Sequence, residues 1–256
     1  MSLYAKAWGV DLSEAEGPSH DGAFASFDEF FTRRLRTGSR SIPADGDRLI
    51  SPADGRLQSH GPIDDAGRLL VKGKPYRVVD LLNDEPSAAH YCGGQFAVIY
   101  LSPRDYHRVH SPARGRLVQV RSAPGDLFPV NSLGERIPNL LSRNRRVAIT
   151  IDTDRFGRVA VVMVAAMVVG RITVTGFAAA DVPLGRHELE PPLELAAGDE
   201  LGVFHLGSTV VLLIPGGAAE PIGRAEGSIR LGDVLIDQTT AEDAEVAHRD
   251  SSRGRT

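Results

Sequence analysis

The sequence has a single cysteine, Cys92, one tryptophan and three lysines among its 256 residues. One thiol excludes an internal disulfide and fits a reducing compartment. Lysine is scarce but cations are not: 26 of the 29 basic residues are arginine, a bias that reads as genome composition rather than as a binding signal. Positive charge is not in excess either. The net charge of −4 argues against a nucleic-acid partner, which calls for a basic face. Long apolar runs are missing too. The longest, Val159–Gly170 (VAVVMVAAMVVG), has twelve residues, where a membrane-spanning helix needs about 20. Its β-branched content reads as a buried strand, so membrane contact is expected to be peripheral. Met1–Gly9 lacks the basic start and continuous apolar stretch of a signal peptide. Neither a G-x-S-x-G nucleophile elbow nor a G-x-x-x-x-G-K-[ST] phosphate loop occurs, which removes the commonest serine-hydrolase and nucleotide-binding readings.

What is present falls into three parts. Residues 1–40 carry helical patterning: Leu3, Ala7 and Trp8 can share a face within Met1–Val10, and a second helix is expected over Phe24–Arg36. There Ser26 precedes Glu29 by three residues, as in a capping box, and Phe27, Phe30, Phe31 and Leu35 fall at helical spacing. Its aromatic face either packs on the core or, with Arg33, Arg34, Arg36 and Arg40 close by, rests on anionic lipid. Residues 41–238 alternate short β-rich runs with Gly, Pro and Asp turns. Strands are expected at 48–51, 55–60, 68–72, 95–101, 115–122, 146–152, 158–165, 167–177, 202–206 and 209–214, with helical turns at 78–82 and Asn139–Ser142. Residues 239–256 are polar and charged and read as a disordered tail. The expected class is α+β, mostly β: a two-part β-sandwich or barrel-like core with N-terminal helices packed on it.

A repeat runs through the β-rich part. Ser51-Pro52-Ala53-Asp54-Gly55-Arg56-Leu57 recurs as Ser111-Pro112-Ala113-Arg114-Gly115-Arg116-Leu117, six of seven positions alike at an offset of 60. Each copy is a proline turn, a glycine and a strand start, as if two halves of a sandwich enter their strands alike. The mismatch is informative: Asp54 stands where the second copy has Arg114, so one copy carries a carboxylate that the turn does not need.

Two further stretches carry chemistry. Phe204-His205-Leu206-Gly207-Ser208-Thr209-Val210 is a Gly-Ser-Thr step at the edge of an apolar run. Gly207 leaves its carbonyl sterically open, and Ser208 supplies a hydroxyl beside it. If a base takes the Ser208 proton, Oγ can attack that carbonyl, convert the amide to an ester and, after loss of the Ser208 α-hydrogen, break the chain to leave a pyruvoyl group. Alternatively the stretch is a turn leading into a buried strand. His107 and His110 lie three apart after a predicted strand and suit proton transfer near neutral pH. His-x-x-His spacing can also bind zinc, but with one cysteine and no second such pair no metal is expected.

Taken together, FxxFDEFFTRRLR from Phe24, SPADG at Ser51–Gly55, YLSPRDYHRVHSP at Tyr100–Pro112, PGDLFPVN at Pro124–Asn131 and FHLGSTV at Phe204–Val210 resemble the bacterial phosphatidylserine decarboxylases, in the family's order. The resemblance implies self-cleavage at Gly207–Ser208, with Asp54, His110 and Ser208 as a charge relay. It also implies a covalent pyruvate cofactor, the pyruvoyl group made from Ser208, which forms a Schiff base with the substrate amine. His107 or His110 would return a proton to the product, with His107 favoured. The implied partners are phosphatidylserine at an anionic membrane surface, on the cytoplasmic side of the cell membrane, and a heterodimer of β chain (1–207) and α chain (208–256), with higher assembly left open. The competing readings are a soluble pyruvoyl-dependent decarboxylase of a small amino acid or phosphoserine-like substrate, and a non-catalytic β-sandwich binding module.

Overall fold

The structure, a computed structural model, describes residues 9–18, 24–44, 46–130, 134–167, 171–205, 208–217 and 220–238. Residues 1–8 of the helical patterning expected within Met1–Val10, Gly207 of the expected cut site and the tail from 239 onward lie outside these residues. Among the described residues the strands are β1 (Arg48–Ile50), β2 (Gly55–Pro62), β3 (Arg68–Val71), β4 (Lys74–Arg77), β5 (Gln95–Leu101), β6 (Arg108–His110), β7 (Gly115–Ala123), β8 (Arg146–Thr153), β9 (Gly157–Ala165), β10 (Ile172–Val174), β11 (Gly185–Leu195), β12 (Glu200–Phe204), β13 (Ser208–Ile214), β14 (Gly227–Ile229) and β15 (Val234–Asp237). The α-helices are short: α1 (Phe27–Phe31), α2 (Val78–Leu82), α3 (Glu85–Ala88) and α4 (Leu140–Arg143).

Eight strands form one antiparallel sheet in the order β11-β7-β8-β9-β13-β5-β2-β14. Smaller sheets pair β10-β12-β6, β1-β15 and β3-β4. The large sheet ends at β11 and β14 rather than closing, so the core is sandwich-like and the barrel-like option is set aside.

The repeat explains the layout. Ile50 N–H donates to the Pro112 carbonyl at 2.9 Å, and His110 N–H donates to the Pro52 carbonyl at 2.8 Å. The residue just before each copy thus hydrogen-bonds the proline of the other. Ser51 Oγ donates to the Ala53 carbonyl at 2.8 Å and Ser111 Oγ to the Ala113 carbonyl at 2.7 Å. Ser51 N–H meets the Asp233 carbonyl, and Ser111 N–H meets that of Asp199. The two strand entries are thus built alike, and in the sheet order β7 and β8 stand on one side of β9-β13 as β2 and β5 stand on the other. The repeat's glycines are close-approach positions. A Cβ on Gly55 would lie 2.3 Å from the Tyr100 carbonyl oxygen, and one on Gly115 2.4 Å from that of Asp152.

Burial follows from the central position. Along β13, Val210, Leu212 and Ile214 enter one core cluster while Val211 and Leu213 enter another on the opposite face. β9 is divided in the same way, which is why its sequence reads as a continuous apolar run rather than an alternation. Three expectations are corrected. The helix over Phe24–Arg36 is only five residues long. Past its C-cap, Thr32, the chain turns to pair with residues 14–16: Glu16 N–H donates to the Arg34 carbonyl and Arg36 N–H to that of Glu14. The strand over 167–177 is confined, among described residues, to β10. β11 was not expected at all, because Pro191 and Pro192 interrupt it. It is tolerated because it is an edge strand, and its register shifts between Glu188 and Leu193.

Candidate active site

Ser208 is the first residue of β13, paired with Leu101 of β5 on one side and Ala165 of β9 on the other. It is fully buried. Its Oγ lies 3.1 Å from Nδ1 of His107, whose Nε2 lies 3.0 Å from the Ser102 carbonyl oxygen. A carbonyl can only accept, so Nε2 carries the ring proton and Nδ1 offers its lone pair to the serine hydroxyl. The ring is fully buried and stacks on Phe31 with a centroid separation of 3.9 Å. Burial depresses its pKa from 6.5 to about 3, against the opposing effect of the hydrogen bond it donates to the Ser102 carbonyl. The imidazole is therefore neutral near pH 7 and aimed at a serine hydroxyl, which is the arrangement of a general base and its nucleophile. The Ser102 carbonyl takes the orienting part that a carboxylate takes in serine triads.

His110 ends β6 and is held differently. Nδ1 donates to the Gly198 carbonyl at 2.8 Å, which leaves Nε2 to accept from the Tyr106 hydroxyl at 3.0 Å. Burial lowers the His110 pKa and raises that of Tyr106, so the ring stays neutral and the phenol protonated. Asp54 is also buried. Its carboxylate accepts both Nε and a terminal nitrogen of Arg40, and the Leu231 N–H at 2.8 Å. The structure thus brings His107 onto Ser208. Among the described residues no hydrogen bond joins Asp54 to His110 or His110 to Ser208. The Asp54 charge still favours the His110 cation through space.

Several contributors escaped the sequence reading. Arg40 is the cation that holds Asp54, and it also pairs with Glu14 at 2.8 Å. Tyr106 orients His110. Asp28 of α1 accepts from His205 Nδ1 at 2.7 Å and pairs with Arg171 at 2.7 Å. This clasp ties α1 to the residue three before Ser208. The capping signal was legible: Ser26 Oγ accepts from the Glu29 N–H at 3.1 Å. The partner of the aromatic stripe was not. Phe30 and Phe31 are fully buried, so that face rests on the core and on His107, and the lipid-facing reading of it is withdrawn. Arg33 and Arg34 are engaged within the chain, Arg33 on the Arg104 and Asp105 carbonyls and Arg34 on Glu200.

The family model described as phosphatidylserine decarboxylase matches residues 27–237, which include Asp54, His107, His110 and Ser208. The chain belongs to the phosphatidylserine decarboxylase family. Curated members of that family align over most of it. The phosphatidylserine decarboxylase proenzyme of Saccharophagus degradans is 39% identical over 253 residues, covering 94% of this chain and 86% of the relative. The proenzyme of the same name from Alcanivorax borkumensis is 42% identical, covering 86% and 78%. That of Acinetobacter baylyi is 44% identical, covering 83% and 74%. As a family member, this chain has Ser208 at the head of a central strand, with a neutral imidazole already on its hydroxyl.

Proposed function

We propose that the chain is a proenzyme that cuts its own Gly207–Ser208 bond and then decarboxylates phosphatidylserine to phosphatidylethanolamine. The observation that carries the reading is the 3.1 Å approach of Ser208 Oγ to the neutral Nδ1 of His107. His107 accepts the hydroxyl proton, and Oγ attacks the Gly207 carbonyl carbon, turning the amide into an ester. Removal of the Ser208 α-proton then expels the Gly207 carboxylate and leaves a dehydroalanine. Water converts this to a pyruvoyl group with release of ammonia. The relay that the family resemblance implies, Asp54, His110 and Ser208, would act beside His107: His110 is a neutral imidazole able to take a proton, and the Asp54 carboxylate stabilises its cation.

A pyruvoyl group fits the start of β13, because the residue it is built from is buried there and already faces the imidazole. Such a group supplies an electron sink for the pair released as CO₂ departs. The place of His107 beside Ser208 supports the reading that this ring, once it has taken up a proton, returns it to the substrate carbon. The products of cleavage are residues 1–207 and 208–256. A lipid substrate places the work at the cytoplasmic face of the cell membrane, with the protein peripheral. No helix among the described residues is long and apolar enough to cross a bilayer.

Intact mass measurement with a hydrazine probe, followed by CO₂ release from phosphatidylserine, tests this. The native chain is expected as two fragments, the smaller one hydrazine-reactive. Ser208→Ala should persist at 27.5 kDa. His107→Ala should slow cleavage by about 10²-fold or more, the usual worth of a general base. His110→Ala and Asp54→Asn should slow it as well. A His107→Ala chain that cleaves at the native rate removes His107 from the base role and leaves it to the relay.

A further inference from the structure

Self-cleavage joins atoms of two neighbouring residues, so the chain must be held on both sides of the bond. Ser208 Oγ gives its proton to His107 Nδ1 and closes on the Gly207 carbonyl carbon; the C–N bond breaks, and the Ser208 nitrogen takes the proton. The reacting atoms must stand about 3–3.5 Å apart, and a misplacement of about 1 Å can cost about 10²-fold in rate. After the bond, Ser208 is fixed by its pairing with Leu101 and Ala165. Before it, β12 ends at Phe204, whose N–H donates to the His107 carbonyl at 3.0 Å. Only Leu206 and Gly207 separate the next residue, His205, from Ser208.

His205 is held by its backbone and by its ring. Its N–H donates to the Arg171 carbonyl at 3.2 Å. Ring Nδ1 donates to one carboxylate oxygen of Asp28 at 2.7 Å, which leaves Nε2 to accept from the Thr173 hydroxyl at 3.3 Å. Arg171 pairs with the other Asp28 oxygen at 2.7 Å, and the same guanidinium nitrogen lies beside the ring. The His205 side chain is only 12% exposed, whereas those of Asp28 and Arg171 are 45% and 38% exposed. An ion pair that open to water adds little to stability, so keeping the fold together is a weak reason for the clasp. Its position offers a better one. Asp28 and Phe31 stand three residues apart on α1, and Phe31 stacks on His107. One five-residue helix thus touches both the base and the chain that enters the bond to be cut.

We propose that Asp28 and His205 are positioning residues for self-cleavage: the clasp anchors the chain just before the Gly207–Ser208 bond, and α1 sets that anchor in register with His107. This rests on the self-cleavage reading above. Neither residue takes the Ser208 proton, which goes to His107. Their work is to keep the Gly207 carbonyl where Ser208 Oγ can reach it, and without the ring contact three residues rather than two would hang between Phe204 and Ser208.

The test follows the cut in full-length chains made by cell-free synthesis and sampled over time on denaturing gels. His205→Ala should slow it by about tenfold or more, the scale of lost alignment. Asp28→Ala should slow it by a similar factor, and the double variant no further than the slower single one, as expected of one shared contact. Asp28→Asn keeps an acceptor for the ring N–H and should recover most of the rate. Thermal unfolding in the uncleavable Ser208→Ala chain separates alignment from folding: there His205→Ala should move Tm by no more than about 5 °C. Hydroxylamine splits an ester once it has formed, so it should leave the alanine variants slow. Native-rate cutting in both alanine variants, effects that multiply in the double variant, or recovery in hydroxylamine each overturns the proposal. If both alanine variants unfold below the assay temperature and Asp28→Asn cuts no faster than they do, the clasp is structural and the proposal falls. A native chain that stays whole overturns the self-cleavage reading and this proposal with it, whereas a native chain that cuts no faster than its variants overturns this proposal alone.

Discussion

The group on Ser208 is an imidazole oriented by a backbone carbonyl. A carbonyl fixes the tautomer of His107 but brings no full charge to stabilise the imidazolium, as a carboxylate would. That suits a reaction each chain performs once. The burial behind this arrangement has a consequence for stability. Unfolded, His107 binds a proton near pH 6.5; folded, only near pH 3. The unfolded chain therefore holds more protons across that interval. Stability should fall as pH drops from about 6.5 toward 3, by up to about 1.4 kcal/mol per pH unit for this ring. His110, also depressed by burial, adds in the same direction. Urea unfolding of the uncleaved Ser208→Ala chain at pH 7 and pH 5 measures this, and His107→Gln should flatten the difference. An identical pH slope in the two chains would mean that the ring is not the buried neutral group described above.

Among the elements, α1 does more than its five residues suggest. Its capping serine and the spacing of its phenylalanines were readable from the sequence, because both are local. What the phenylalanines pack against was not, since Phe31 and His107 meet across 76 residues of chain. Phe31→Ala should destabilise the fold by about 3–5 kcal/mol through the cavity it leaves. It should also slow self-cleavage at temperatures where the chain remains folded, because His107 loses the surface that holds its plane. Phe31→Leu, which keeps apolar volume, should recover most of the stability but less of the cleavage rate. Thermal unfolding followed by a cleavage time course separates the two effects, and full recovery of cleavage in the leucine variant would reduce Phe31 to a core residue. The edge strand β11 teaches the opposite lesson. Its two prolines argue against a strand, and only its position at the rim of the sheet makes them harmless.

For the whole molecule, the decisive feature is that Ser208, at the bond proposed to be cut, opens a strand in the centre of the eight-stranded sheet. β13 pairs with β9 along six residues and with β5 along seven, and its side chains are buried on both faces. Residues 208–256 should therefore stay with residues 1–207 after cleavage. Size-exclusion chromatography in buffer should give one species, and only denaturant should resolve two; separation in buffer would contradict the packing. The apolar runs and the SPAxG repeat with its odd carboxylate determined in advance that the chain would be mostly β with two like strand entries, and the Gly-Ser-Thr step, taken with the other motifs, carried the resemblance to self-cleaving decarboxylases. These are statements about neighbours in the chain, which composition and spacing record directly. Which histidine reaches Ser208, that Arg40 captures Asp54, and that Asp28 clasps His205 were decided by tertiary structure alone. Each depends on segments distant in sequence being brought side by side, and a hydrogen bond or an ion pair is settled by a few ångströms that no local pattern encodes.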